Sequence, residues 1–155
     1  MTCLAFDGKV LAADRGVMRS HAVTEYRKIH VVDGHRGKFI MGFCGFTALT
    51  DAALTYFNSP IKVDFPDCKK YETDLTDTIG LAIDKDGVCR FIYGDGAFSE
   101  PLRDPWAADG SGCVFLTGAL AAGASAEQAI QLAIQHTTCA YLGVDTLSVE
   151  EVFNA

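Results

Sequence analysis

Thr2 is the residue whose chemistry stands out, because removal of Met1 would leave a hydroxyl and a free α-amine on one residue. Such a residue is a nucleophile with its own built-in base. The stretch after Thr2 reads as a holder. Residues 1–14 read as two short apolar runs joined by Asp7-Gly8, the dipeptide best suited to a tight hairpin turn. With Asp7-Gly8 as a two-residue loop, Phe6 faces Lys9, Thr2 faces Ala13 and Met1 faces Asp14, so the hydroxyl lands beside a carboxylate. An ordinary hairpin with a polar start accounts for the same residues without any chemistry.

Three further features coincide with that hairpin. Lys28 lies fourteen residues beyond Asp14 at the start of a β-branched stretch, Gly45 ends an apolar run just before a helical pattern, and Ser111 sits between Gly110 and Gly112 before another. Each alone is a weak signal. The six cysteines, Cys3, Cys44, Cys68, Cys89, Cys113 and Cys139, include no C-x-x-C pair and sit mostly in apolar runs. They read as small buried hydrophobes in a reducing compartment, not as a disulfide frame, and no metal ligand is assigned.

The elements that must position these residues are set by periodicity. Residues 15–21 are polar and read as a loop leading to a new strand. Lys28-Ile29-His30-Val31-Val32 and the run 37–45 flank Asp33-Gly34-His35-Arg36 as a second hairpin, its second arm buried on both faces. Leu49, Ala52, Ala53, Tyr56 and Phe57 fall at helical spacing, with Thr47 as the N-cap. Residues 58–77 hold two prolines and no clear period, and predict a loop with at most one short helical turn. A third hairpin spans 79–83 and 88–93, and 106–109 is a short strand. Residues 113–122 are small and apolar almost all round, which predicts a buried helix ending at Gly123. Ser125 and Gln128 form a capping box for a second helix, and 144–152 supply a final strand. Hairpins first, then a helix, another hairpin and a helix pair describe an α+β fold, with helices stacked on antiparallel sheets in a four-layer sandwich.

A length of 155 residues with 49% hydrophobic content favours a single domain with a sizeable core. The net charge of −7 argues against nucleic acid or an anionic membrane as the main partner, since both need a basic face. With no apolar stretch of membrane-spanning length and no signal-peptide pattern, the expected location is the cytoplasm.

Taken together the motifs resemble the proteasome β-subunits and the bacterial HslV peptidase, members of the N-terminal-nucleophile (Ntn) hydrolases. Thr2 and Val10-Leu11-Ala12-Ala13-Asp14 match that family's first hairpin, Lys28-Ile29 its lysine at a strand start, Gly42-Phe43-Cys44-Gly45 its strand end, and Gly110-Ser111-Gly112 its Gly-Ser-Gly before a helix. The resemblance covers most of the chain in matching order. It implies a single αββα domain over 1–155 and a threonine endopeptidase working in a homo-oligomeric ring on peptide or unfolded protein, with an ATP-dependent unfoldase as a further partner. It implies no cofactor, although a structural sodium ion held by backbone carbonyls occurs in HslV-type enzymes. Compact members of this kind resemble proteins associated with bacteriophage genomes.

The same resemblance assigns roles. Thr2 Oγ attacks a peptide carbonyl; the Thr2 α-amine, or Lys28 in its neutral form, takes the proton; Asp14 fixes Lys28; the Gly45 amide donates to the oxyanion; Ser111 orients the α-amine. Val17, Tyr26, Phe43 and Thr47 match the substrate pocket and imply a preference for an apolar side chain. Plain readings exist for each position, a surface ion pair for Asp14 and Lys28, a helix-entry turn for Gly45 and an N-cap for Ser111, but they do not explain the shared order with Thr2. The chain departs from the family in a first hairpin about four residues shorter, in the loop 58–77 where a long amphipathic segment is usual, and in Thr137 where the family has an aspartate, for which Asp145 is the candidate substitute. Catalysis requires loss of Met1, since otherwise the Thr2 nitrogen is an amide. A non-catalytic assembly or binding subunit, and an amidase acting on a small amide, are the competing readings.

Overall fold

A computed structural model describes residues 1–154. In chain order the elements are β1 (Cys3–Phe6), β2 (Val10–Asp14), β3 (Gly16–Arg19), β4 (Ala22–Glu25), β5 (Ile29–Gly34), β6 (Gly37–Phe43), α1 (Thr47–Phe57), β7 (Thr78–Ile83), β8 (Cys89–Tyr93), β9 (Ala107–Gly110), α2 (Cys113–Ala121), α3 (Ala126–His136), β10 (Val144–Ser148) and α4 (Val149–Phe153), with a 3₁₀ turn at Cys68–Tyr71 inside the loop 58–77. One antiparallel sheet has the order β10-β2-β1-β9, the other β5-β6-β7-β8, and β3 with β4 forms a separate ribbon.

Period-two alternation along the strands builds the layers. On β1, Cys3 and Ala5 point toward α2 and α3, where they meet Leu116, Leu120, Ala129, Ile130 and Ala133, while Leu4 and Phe6 point toward the second sheet. On β6, Ile40 turns inward between the sheets, whereas Met41 and Phe43 turn outward to Leu49, Ala53 and Phe57 of α1. The order is therefore α2/α3, sheet, sheet, α1, with a core in each of the three gaps, and the αββα expectation holds. Each fully buried Leu, Ile or Phe in those gaps contributes roughly 1.5–3 kcal/mol.

A β-bulge in β7 breaks the alternation once. Leu81 and Ile83 face the inter-sheet core, yet Ile79 faces α1, because the pairing to β8 shifts between Thr78 and Gly80. The bulge turns Thr78 to the inter-sheet side, as bulges near functional sites often do. A Cβ at Gly80 would collide with the Gly42 carbonyl, so the close approach of β6 and β7 here requires glycine.

Several expectations are corrected. The first turn is Gly8-Lys9, not Asp7-Gly8: Phe6 pairs with Leu11, Leu4 with Ala13, and the Asp7 N–H donates to the Val10 carbonyl. Asp7 closes the turn by accepting from the Lys9 and Val10 amides at 3.0 and 2.9 Å, and its other oxygen accepts from Ala126 N at the start of α3. The slide by two residues keeps every side chain on its expected face. Residues 15–21 are not a loop but begin the β3–β4 ribbon, mostly exposed and hence without alternation. Thr47 is the first helical residue and Phe46 the N-cap, with no side-chain cap. Only the second half of β6 is fully buried. Helix α2 buries Leu116 and Leu120 but leaves Val114 84% exposed, so it is not buried all round. The final segment is a strand followed by the short α4.

Candidate active site

Thr2 precedes β1 and is only 7% exposed. Its amide nitrogen donates to Ser111 Oγ at 3.1 Å, and the Ser111 hydroxyl donates to the Thr2 carbonyl at 3.2 Å. Gly112, not Ser111, is the N-cap of α2, so the Ser111 hydroxyl is committed to Thr2 rather than to the helix. The two segments meet because β9 runs antiparallel to β1, pairing Cys3 with Gly110.

Asp14 ends β2 and is fully buried. Its Oδ1 accepts from Lys28 Nζ at 2.8 Å and from the Cys3 amide at 2.9 Å, and its Oδ2 from the Tyr141 amide at 3.0 Å. Lys28 stands just before β5, with its side chain 2% exposed. Its three donors are all used, on Asp14 Oδ1, on the Gly16 carbonyl at 2.6 Å and on the Met1 carbonyl at 3.2 Å. A buried ammonium is tolerated only when paired and hydrogen-bonded in this way. The surface ion pair is thereby excluded, and the lysine nitrogen lies against the peptide group that joins Met1 to Thr2.

A cavity of about 580 Å³ opens beside Thr2. Gly45 lines it with a φ of +96°, in the left-handed region that favours glycine, and among the described residues its amide has no hydrogen-bond acceptor. Ser111, Val17 and Thr47 line the same space, so five of the nine expected positions line the cavity, and Asp14 and Lys28 lie directly beneath Thr2.

Tyr26 and Phe43 do not line it. Phe43 shares the outward face of β6 with Met41 and packs on Phe57, since its parity sends it toward α1. Tyr26 donates to Asp51 at 3.0 Å beside a separate cavity shared with Arg15 and Asp145; burial and then the Asp51 carboxylate push its hydroxyl up to about 12. Asp145 is paired with Arg15 at 2.7 Å and contacts no group of the Thr2 cluster, so it does not replace the missing aspartate. The Thr137 hydroxyl donates to the Ala133 carbonyl.

The lining also includes residues that the motifs did not assign to the site, among them Cys44, Thr78 and Asp109. Asp109 accepts from the Thr78 hydroxyl at 3.0 Å, and the Cys44 thiol donates to it at 3.5 Å. Burial, and then the charge of Asp109, push the Cys44 thiol well above its ordinary range. The buried Ala107 two positions earlier was the available signal, because alternation places Asp109 on the same inner face. Near residues 137–143, where the resemblance implies a sodium ion, the carbonyls of Thr138, Cys139 and Gly143 accept from the Tyr141 hydroxyl, the Cys3 thiol and the Arg15 amide, and each keeps a second lone pair with which it could ligate a cation.

No protein-family model matches the chain, and no curated protein matches it in sequence. Solved structures do. The chain is similar to Thiobacillus denitrificans BPH, with a TM-score of 0.69 and 16% identity over 96% of this chain and 97% of that one. The same protein in complex with epoxomicin gives 0.68 and 15% over the same shares. Eukaryotic HslV from Trypanosoma brucei gives 0.60 and 20% over 95% and 97%. The fold is thus the four-layer sandwich of the proteasome and HslV type.

Proposed function

We propose that the chain is a threonine-type peptidase of the N-terminal-nucleophile class. The observation that carries this reading is the buried Lys28–Asp14 pair, 2.8 Å apart, whose ammonium also touches the carbonyl immediately before Thr2. A purely structural pair would not need to sit under a cavity wall formed by the one hydroxyl residue able to become N-terminal.

Once Met1 is removed, the Thr2 α-amine lies within hydrogen-bond reach of Ser111 Oγ and serves as base, with the Lys28 ammonium, held on Asp14 and the Gly16 carbonyl, beside the new N-terminus. Thr2 Oγ attacks the substrate carbonyl, and the oxyanion takes the free Gly45 N–H, a contribution of roughly 3 kcal/mol to the barrier. Collapse expels the amine, which leaves with the proton taken from Oγ, and the Thr2 ester is hydrolysed by water. Asp14, held by three donors, keeps Lys28 in place and balances its charge.

Peptide or unfolded protein is the proposed substrate, a homo-oligomeric cytoplasmic ring the proposed working form, and an ATP-dependent unfoldase a proposed partner. The likeness in fold to BPH and HslV supports this reading, as does BPH's occurrence in a complex with epoxomicin. Among the described residues no helix is long and apolar enough to cross a membrane. A second reading, a non-catalytic subunit that keeps Met1, is favoured by the Lys28 bond to the Met1 carbonyl, which satisfies the lysine without any substrate. Cleavage of fluorogenic peptides by the Met1-free protein decides between them: the peptidase loses activity in both Thr2→Ala and Lys28→Ala, whereas persistence in either variant rules out this mechanism.

A further inference from the structure

The cavity beside Thr2 has a wall that the peptidase mechanism does not use. Asp109 lies on β9 opposite Leu4, on the face turned between the sheets, and is 8% exposed. Its Oδ1 accepts from the Thr78 hydroxyl and, at 2.8 Å, from the Gly110 N–H, whereas its Oδ2 has only the Cys44 thiol at 3.5 Å, a weak donor. No Lys, Arg or His nitrogen lies within 4.0 Å of it among the described residues. The nearby ammonium, Lys28, is fully engaged elsewhere. A carboxylate nine-tenths buried without an opposite charge is expensive, and one kept at a cavity wall gains most from a cation that arrives with a ligand.

The lining is mixed. Val17, Met18 and Phe46 are apolar and the exposed Arg19 lies on the same ribbon as Val17 and Met18, while Cys44 and Thr78 gather on the Asp109 carboxylate as an acidic cluster. The bulge in β7 and the inward face of β9 together aim Thr78 and Asp109 at one another. We propose that Asp109 selects peptides carrying a lysine or arginine next to the bond to be cleaved, with the cationic head seated against Oδ2. This deepens the peptidase reading, rests on it, and reverses the preference for an apolar side chain that motif matching alone implies.

The test uses matched peptides with lysine, acetyl-lysine or norleucine immediately before or after the scissile bond. Turnover is measured with the Met1-free protein, and binding of the same peptides by calorimetry with Thr2→Ala. At one of the two positions lysine is expected to exceed both neutral residues at least tenfold in kcat/KM and in affinity, and Asp109→Asn is expected to bring that ratio to within about twofold of one. The acetyl-lysine arm removes the charge without altering the protein, so the result does not depend on the variant folding. Equal binding of lysine and norleucine peptides overturns the proposal, as does a preference that survives Asp109→Asn. An equal loss of turnover for all peptides in Asp109→Asn overturns it too, because Asp109 would then act on the nucleophile. Tighter binding of the lysine peptide with no cleavage by the parent protein sustains the cation site and overturns the peptidase reading instead.

Discussion

At the scale of single residues, the centre of the molecule is a lysine with every donor committed and a carboxylate that holds it. Removing one partner strands the other charge in a site with almost no solvent access, which typically costs 3–5 kcal/mol. Asp14→Asn and Lys28→Ala are therefore expected to lower the denaturant-derived unfolding free energy by about that amount and to lower kcat for peptide cleavage by at least about 10²-fold; a stability change with unaltered kcat would separate the pair from catalysis. Gly45→Ala places a Cβ on a left-handed backbone, at roughly 1–2 kcal/mol, and displaces the amide proposed for the oxyanion. It is expected to reduce kcat more than it raises KM, which steady-state kinetics reads directly. The buried thiols give the pH dependence. Burial pushes Cys3 and Cys89 up to about 12, so the folded state binds their protons more tightly than the unfolded chain. Their contribution is complete below about pH 9 and is lost as pH rises through 9 toward 12, by up to about 1.4 kcal/mol per pH unit for each thiol. Chemical denaturation from pH 8 to 11 should show that decline, and Cys89→Ala should flatten it.

At the scale of elements, two backbone features aim the site. The Gly8-Lys9 turn sets the register that puts Cys3 N on Asp14, and the β7 bulge turns Thr78 inward. Gly80→Ala forces Cβ into the Gly42 carbonyl and is expected to destabilise by about 1–3 kcal/mol, checked by thermal unfolding. These features also explain how legible the chain was. The arms of the hairpins, α1 and α3 with its Ser125 and Gln128 box could be read because periodicity and turn chemistry act locally, whereas Thr2, Asp14, Lys28, Gly45 and Ser111 were grouped only by the resemblance of their motifs to a family. The register could not, because Asp7 serves the turn through its side chain and caps α3 from 119 residues away. Tyr26 and Phe43 were misplaced because a motif gives a residue's position but not its face, and the β3–β4 ribbon was missed because its exposed strands carry no apolar alternation. Asp109 was overlooked as a residue before a glycine motif, although its strand parity pointed inward.

At the scale of the whole molecule, two sheets face each other across a core and leave their rims to do chemistry. Helix α2 exposes Val114 at 84% and Phe115 at 36%, so the small apolar residues that pack it against α3 do not cover it. The proposed ring predicts a sedimentation coefficient far above that of a single chain, and a monomer at micromolar concentration would remove the compartment from the account. Whether Thr2 is the nucleophile is decided by intact and peptide mass spectrometry of the Met1-free protein treated with a peptide epoxyketone. One adduct per chain is expected, located on Thr2 and absent from Lys28→Ala. A Met1-free chain that stays unmodified, or that carries its adduct on a cysteine, would exclude Thr2 as the attacking residue.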